Sequence, residues 1–441
     1  MTVAVAPDAL NAGDTAWLLV ATALVLLMTP ALAIFYGGMV RAKSVLNMLM
    51  MSFVAIAVVT VVWIAFGYSL AFGGDVGGGL LGDLGSVFMA GTKPTDLHGT
   101  VPELLFMAFQ LTFAILTVAL ISGAIADRTR FKAWVLFCAV WVICVYVPLA
   151  HWVWGPDGWI AHRLGALDFA GGLVVEINCG AAGMAVALVL GPRIGFKRDP
   201  MRPHNLPLVV LGAGLLWFGW FGFNGGSALG ANGLAAQALV NTQAAGCTAL
   251  IGWLAVEKRR DGHATTLGAA SGAVAGLVAI TPACGVVDLP GAMAIGLVAG
   301  VLCSFAVGWK HRFGYDDSLD VVGVHYVGGV VGTLLIGLFA AKDVTGGPAG
   351  LLHGGGAELL GKQLVAIVVV SAFSFGVTYT IAKAIDRTIG FRAHADHEQR
   401  GLDLAVHAES AYDLTAFAGT KRTPGPTWRP SPKPAEDLDL D

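Results

Sequence analysis

Charge is what this chain has least of. Only 12% of its 441 residues are Asp, Glu, Lys or Arg, while 56% are hydrophobic, and the mean hydropathy of +0.74 lies far above that of soluble globular domains. That shortage excludes a soluble enzyme and a basic nucleic-acid binder. Long apolar windows follow from it. Eleven stretches of membrane-crossing length occur, at about 17–36, 45–70, 104–126, 132–151, 169–190, 206–223, 235–256, 264–281, 289–308, 321–340 and 362–385. Paired cysteine motifs are also missing. The six cysteines fall mostly inside these windows without a CxxC, which argues against a disulfide framework or a zinc site and for small packing residues. The first sixteen residues, MTVAVAPDALNAGDTA, have neither a basic n-region nor an apolar h-region, so no cleavable leader is expected and the first span directs insertion. HExxH, Walker A and dinucleotide fingerprints are absent too, which leaves no reading as an enzyme, no cofactor and no metal.

What is present is an asymmetric distribution of basic residues. With the N-terminus outside, only Lys93, Arg163, Lys342 and Lys362 of the 26 Lys and Arg fall on the outer side. The positive-inside rule therefore selects N-out, C-in and an odd number of helices. Sixty glycines imply close backbone approach, because in lipid small residues rather than a hydrophobic drive bring helices together. The spans define residues 1–388 as one transmembrane domain and 389–441 as a cytoplasmic tail. The polar segment AHADHEQRGLDLAVHAESAYDL suits short surface helices. The Pro-rich end GTKRTPGPTWRPSPKPAEDLDLD has too little apolar area to fold and is expected to be disordered.

Ionisable groups inside spans are expensive, at about 2.5–3.5 kcal/mol near mid-bilayer, and mark pathways or relays. Glu176 in LDFAGGLVVEINCGAAGMAVALVLG and His325 in the tenth span are such groups. Asp168 and Asp320, near the starts of the same two spans, read as helix caps. Glu176 precedes Gly180 and Gly183, and His325 precedes Gly329 and Gly332. Each span thus reads ionisable-x3-Gly-x2-Gly. Spans 5 and 10 hold corresponding places in two sets of five, and an odd number per set forces inverted orientation. That architecture puts a site near the midplane, with Glu176 facing His325 across a pore. Aromatics gather at the outer end: Phe109 and Phe113 in FQLTF, Trp154 in HWVWG, Trp220 and Phe223 in WFGFNGGS beside Ser227. Spacing alone suits interface belt or core, but ring faces collected at one mouth can hold a cation.

These segments, with FYGGMVRAKSVLNM, RPHNLPLVVLGAG, VNTQAAG, GVHYVGGVVGTLLIG and the tail's QRGLDLAVHAESAY, strongly resemble the ammonium transporter family (Amt/MEP/Rh), in particular bacterial Amt proteins, from about Ala16 to Leu414. The resemblance implies an all-α fold of eleven transmembrane helices, an inverted five-plus-five repeat plus one helix, a homotrimer with a path through each protomer, and residence in the bacterial cytoplasmic membrane. It implies an ammonium recruitment site of Phe113, Trp154 and Ser227 supported by Asp168, a phenylalanine gate of Phe109 and Phe223, and a pore wall containing Trp220. His325 matches the second of the family's two pore histidines. Glu176 departs from the usual bacterial first histidine and resembles some fungal members. The tail matches the segment associated with PII-type signalling proteins. The function so implied is ammonium uptake: recruitment and deprotonation of ammonium, passage of ammonia, and proton transfer through Glu176 and His325. An ammonium sensor signalling through the tail, and a neutral gas channel of the Rh type, stand as alternatives.

Overall fold

A computed structural model describes residues 9–412. The distal tail, with the disorder expected of it, lies outside those residues. Eleven apolar helices form the body: α1 (Ala12–Met39), α2 (Ala42–Phe72), α3 (Glu103–Ile125), α4 (Phe131–Leu164), α5 (Gly172–Leu190), α6 (Leu206–Gly226), α7 (Gly233–Asp261), α8 (Thr266–Ile280), α9 (Leu289–Phe313), α10 (Val322–Phe339) and α11 (Glu358–Thr388). Ten are long enough to cross a bilayer; α8, expected over 264–281, has only 15 helical residues, about 22 Å at 1.5 Å per residue. Pro282 explains the early end, because it has no N–H with which to continue the ladder. A run of turns from Thr281 to Val286 carries the chain onward.

Helix starts follow local chemistry. Asn11 accepts from the amides of Gly13 and Asp14 at the start of α1, Asn205 from Leu208 at α6, Asn232 from Ala235 at α7, and Asp288 from Gly291 at α9. Each satisfies a donor that the helix leaves orphaned. Packing pairs the two sets of five: α1 lies along α6, and α5 against α10. Glycines set the separation. A Cβ on Gly212 of α6 would fall 2.4 Å from the amide nitrogen of Phe35 in α1, so these backbones touch as only glycine permits.

The eleventh helix straps the halves together. Gln363 of α11 accepts from the amide of Leu167 (2.7 Å) and donates to the carbonyls of Leu167 and Thr333, while Ser374 bonds Asn178 of α5 (2.7 Å to Oδ1). All six cysteines are free thiols.

The basic loops collect at one end, the end that the positive-inside rule assigns to the cytoplasm in the expected N-out arrangement. There the tail is folded back on the body. A short helix, Ala395–Arg400, is followed by a wide turn over Asp403–His407. Asp403 accepts from the amides of Leu46 (3.0 Å) and Asn47 (2.8 Å) at the start of α2, and Lys43 donates to the carbonyls of Glu398 and Gln399. Glu398 takes the amide of Ile194 (2.6 Å) and pairs with Arg392, and Tyr412 meets His204 (2.8 Å).

Candidate functional site: an aromatic mouth above a buried acid–imidazole pair

At the outer end a cavity of about 290 Å³ is bordered by Phe106, Gln110, Phe113, Trp154, Phe169 and Ser227, among others. Phe106, Gln110 and Phe113 are spaced i, i+4, i+7 and so share one face of α3. Trp154 stands edge-on to Phe113, with centroids 5.8 Å apart and planes at 88°. Its indole N–H donates to the Asp168 carbonyl at 3.1 Å, which fixes the ring. Ser227 donates to the Phe223 carbonyl (2.8 Å) and borders the cavity, its hydroxyl oxygen keeping its acceptor capacity. The structure thus brings Phe113, Trp154 and Ser227 together.

Asp168 does not border this cavity. Its Oδ1 accepts from Gly171 (2.8 Å) and Gly172 (2.7 Å), and its Oδ2 from Leu173 (2.7 Å) and Val174 (3.3 Å). It therefore caps α5. Burial pushes its carboxyl above the usual carboxylate range, against the amide contacts that favour the charged form. Its part in the outer site is to hold backbone, including the carbonyl that orients Trp154.

The expected gate of Phe109 and Phe223 needs correction. The ring closest to Phe223 is Phe113, with centroids 4.2 Å apart and tilted by 34°. Phe109 leans on Phe113 (4.9 Å, 66°) and packs over Gly226, whose added Cβ would meet the Phe109 ring at 2.8 Å. Helix periodicity is the reason: position 109 lies to the side of the stripe 106, 110, 113. Phe113 therefore both borders the outer cavity and packs on Phe223. Trp220, one turn below Phe223, is buried, lies 5.8 Å from that ring and donates its N–H to the Thr281 hydroxyl at 2.8 Å.

Deeper in the body, Glu176 Oε2 and His325 Nδ1 are 2.7 Å apart, and the two residues are only 1% and 3% exposed. The glycine repeat explains how the helices come so close. A Cβ on Gly180 would fall 2.5 Å from Tyr326 Cβ, and one on Gly329 would fall 2.9 Å from Glu176 Cβ. Each glycine four residues after an ionisable group makes room for the opposite helix beside the other ionisable group. Both groups also sit in widened π-helical turns, Gly172–Ile177 and Val322–Tyr326, a distortion that recurs at functional sites.

The second capping acid is Asp317 rather than the expected Asp320. Asp317 accepts from the amides of Val321 (3.1 Å) and Val322 (2.7 Å), and burial raises its carboxyl to about 6. Asp320 has φ 65° and turns away to pair with Lys310 at 2.6 Å. Asp317 stands eight residues before His325, as Asp168 stands eight before Glu176. Three residues after each cap the backbone takes a positive φ, at Gly171 (123°) and Asp320 (65°). The inverted repeat is thus built from matching caps, matching kinks and matching glycines. The spacing of eight was readable in the sequence, but the neighbouring acids in GYDDSLD obscured it.

Sequence reasoning also missed Cys179, one helical turn from Glu176. Its sulfur and one donor atom each from Glu176 and His325 lie within 4.8 Å of one another, and the thiol meets the Glu176 carbonyl at 3.3 Å. A small cavity of about 10 Å³ beside the pair is bordered by His325, Tyr36 and Asp320, among others.

An aromatic cavity at one end and a buried acid–imidazole pair deeper in a bundle of apolar helices define the class: a multi-pass membrane protein with polar groups held inside its helical body. The chain matches the Ammonium Transporter Family over residues 16–412. It belongs to that family, a family of transporters and not of enzymes. It is 53% identical over 443 residues to an ammonium transporter of Mycobacterium bovis, covering 94% of this chain and 93% of that one. Among solved structures it is similar to Mep2 of Candida albicans (TM-score 0.82, 36% identity, 88% of each chain) and to a sensor Amt protein (TM-score 0.82, 30% identity, 89% of this chain and 98% of that one). The chain is accordingly a multi-pass bacterial membrane protein.

Proposed function

We propose that this chain takes up ammonium across the cytoplasmic membrane and that the proton crosses separately from ammonia. Ammonium transport is the activity its family and relatives carry. In the finer reading, Phe113 and Trp154 offer ring faces and Ser227 an oxygen to the hydrated cation, a cation–π arrangement worth about 0.5–2 kcal/mol per good contact. The Phe113–Phe223 rings are in van der Waals contact, so they must part for each molecule, and a cation entering the greasy stretch beneath would lose water that nothing there replaces. Deprotonation at the mouth resolves this. Neutral ammonia passes the rings and the wall that includes Trp220.

The observation that carries the proposal is the 2.7 Å contact between Glu176 and His325. A carboxylate and an imidazole at that distance can hand over a proton without large side-chain motion. Net charge then crosses, and each elementary charge gains about 2.3 kcal/mol per 100 mV, so a negative-inside potential drives accumulation. Neutral gas conduction would forgo that drive. Ammonium jumps on proteoliposomes adsorbed to a sensor electrode test the point: transient currents that scale with protein are expected, and passive ammonia flux without current would overturn electrogenic uptake.

The homotrimer and a PII-type partner at the cytoplasmic face belong to the same proposal. A sensing role is the second reading, favoured by the way the tail clasps the starts of α2 and the loop after α5. Uptake of methylammonium by starved cells lacking their own ammonium uptake separates the two: accumulation supports transport, and its absence in a correctly inserted protein supports sensing.

A further inference from the structure

On the cytoplasmic face a basin of about 560 Å³ lies between the loop following α5 and the end of α9. Lys197, Arg198, Arg202, Lys310 and His311 border it, opposed by one acid, Asp199. Lys310 is held by Asp320. Arg198 and Arg202 are exposed and make no side-chain hydrogen bond or ion pair among the described residues, and Lys197, also exposed, has its ammonium 5.9 Å from the ring centroid of its neighbour Phe196. The lining is not uniformly polar. Phe196 stacks on His311 with planes at 16°, and Met201 and two prolines complete an apolar floor. A ligand suited to this basin alternates negative and apolar groups.

The chain carries such a segment. Residues 436–441 read EDLDLD, four acids around Leu438 and Leu440. We propose that this segment of the chain's own tail docks in the basin, its carboxylates on Lys197, Arg198 and Arg202 and its leucines against Phe196 and Met201. Three further observations point the same way. The proximal tail already lies on the same loop, through Glu398 on Ile194 and Tyr412 on His204, so the docking surface continues an existing contact. Tyr412, where the described chain ends, bonds His204, which is two residues along the chain from Arg202 of the basin. From Tyr412 to Glu436 there are 24 steps (436 − 412), and a chain of that length can span at most about 80 Å, ample for a return to the rim. Tethering also raises the local concentration toward the millimolar range, so individually weak ion pairs suffice. The basin is linked to the pair's surroundings, because Lys310 at its border bonds Asp320, which also borders the small cavity beside His325. None of this depends on how the proton crosses.

The test uses the full chain in nanodiscs, with a photo-crosslinking residue in place of Leu438. Peptide mapping is expected to find adducts in 196–203 and 309–313, falling at least fivefold in 0.5 M salt or in the triple variant K197Q/R198Q/R202Q. Pairing K197E/R198E/R202E with E436K/D437K/D439K is expected to restore them. Adducts confined to anionic lipid, adducts elsewhere on the protein, or basin adducts unchanged by the triple variant would each overturn the proposal. Because Lys197, Arg198 and Arg202 hold no contact that the fold needs, gel-filtration profiles should match the parent.

Discussion

Replacing Glu176 by glutamine gives the sharpest test of the pore chemistry. The amide has nearly the shape of the carboxylate, and its oxygen or nitrogen can still meet His325 Nδ1, now 2.7 Å from Oε2. One charge-assisted hydrogen bond, worth about 1.5–3 kcal/mol, becomes a neutral one worth about 1. Removing a buried charge offsets part of that loss. Thermal stability in detergent should therefore change little, by about 1 kcal/mol or less. Transport responds differently. An amide cannot take up and release the proton, and positioned acid–base groups contribute about 10²–10⁴-fold, so the ammonium-driven current should fall at least about 100-fold, equivalent to about 2.7 kcal/mol. Ammonia permeation, followed with a pH dye inside the same vesicles, should persist. Current within about threefold of the parent in a stably folded Glu176→Gln protein would refute the relay.

Glu176→His should keep the current but move its pH profile, read from peak currents between pH 5 and 8. Gly180→Val sets a branched side chain where even a Cβ would fall 2.6 Å from the Tyr326 amide nitrogen, and overpacking of this kind costs about 1–3 kcal/mol or more; a lower melting midpoint is expected, with loss of transport. Ser227→Ala and Trp154→Leu should raise the half-saturating ammonium concentration severalfold, measured by methylammonium competition. Asp317, with a carboxyl raised to about 6 by burial, favours its protonated form in the folded protein, so its contribution to stability is full below the unfolded value near 3.9 and is lost as pH rises through about 6. Melting curves at pH 5 and 7 should differ less in Asp317→Asn than in the parent.

Most of the helical frame was legible because lipid tolerates few charges, which makes spans and intruding ionisable groups conspicuous in a single sequence. Glu176 and His325 stood out for that reason, and Asp168 because an acid ahead of an apolar run is a familiar cap. Phe109 and Phe113 could not be ranked in the same way. Both are aromatic, one turn apart, and only the rotation of α3 about its axis decides which ring meets Phe223. Asp317 and Asp320 posed the same difficulty, resolved by a backbone kink at Asp320 that composition does not announce. The proximal tail's clasp was hidden more deeply, since it depends on single carboxylates, Asp403 and Glu398, meeting amides more than 200 residues away in sequence.

The matching caps, kinks and glycines make the two halves near copies of one another, yet at their meeting point the copies differ, acid on one side and imidazole on the other. At that one place the two halves cannot be exchanged: a body built from a repeated unit carries its single chemical asymmetry at its most buried polar contact.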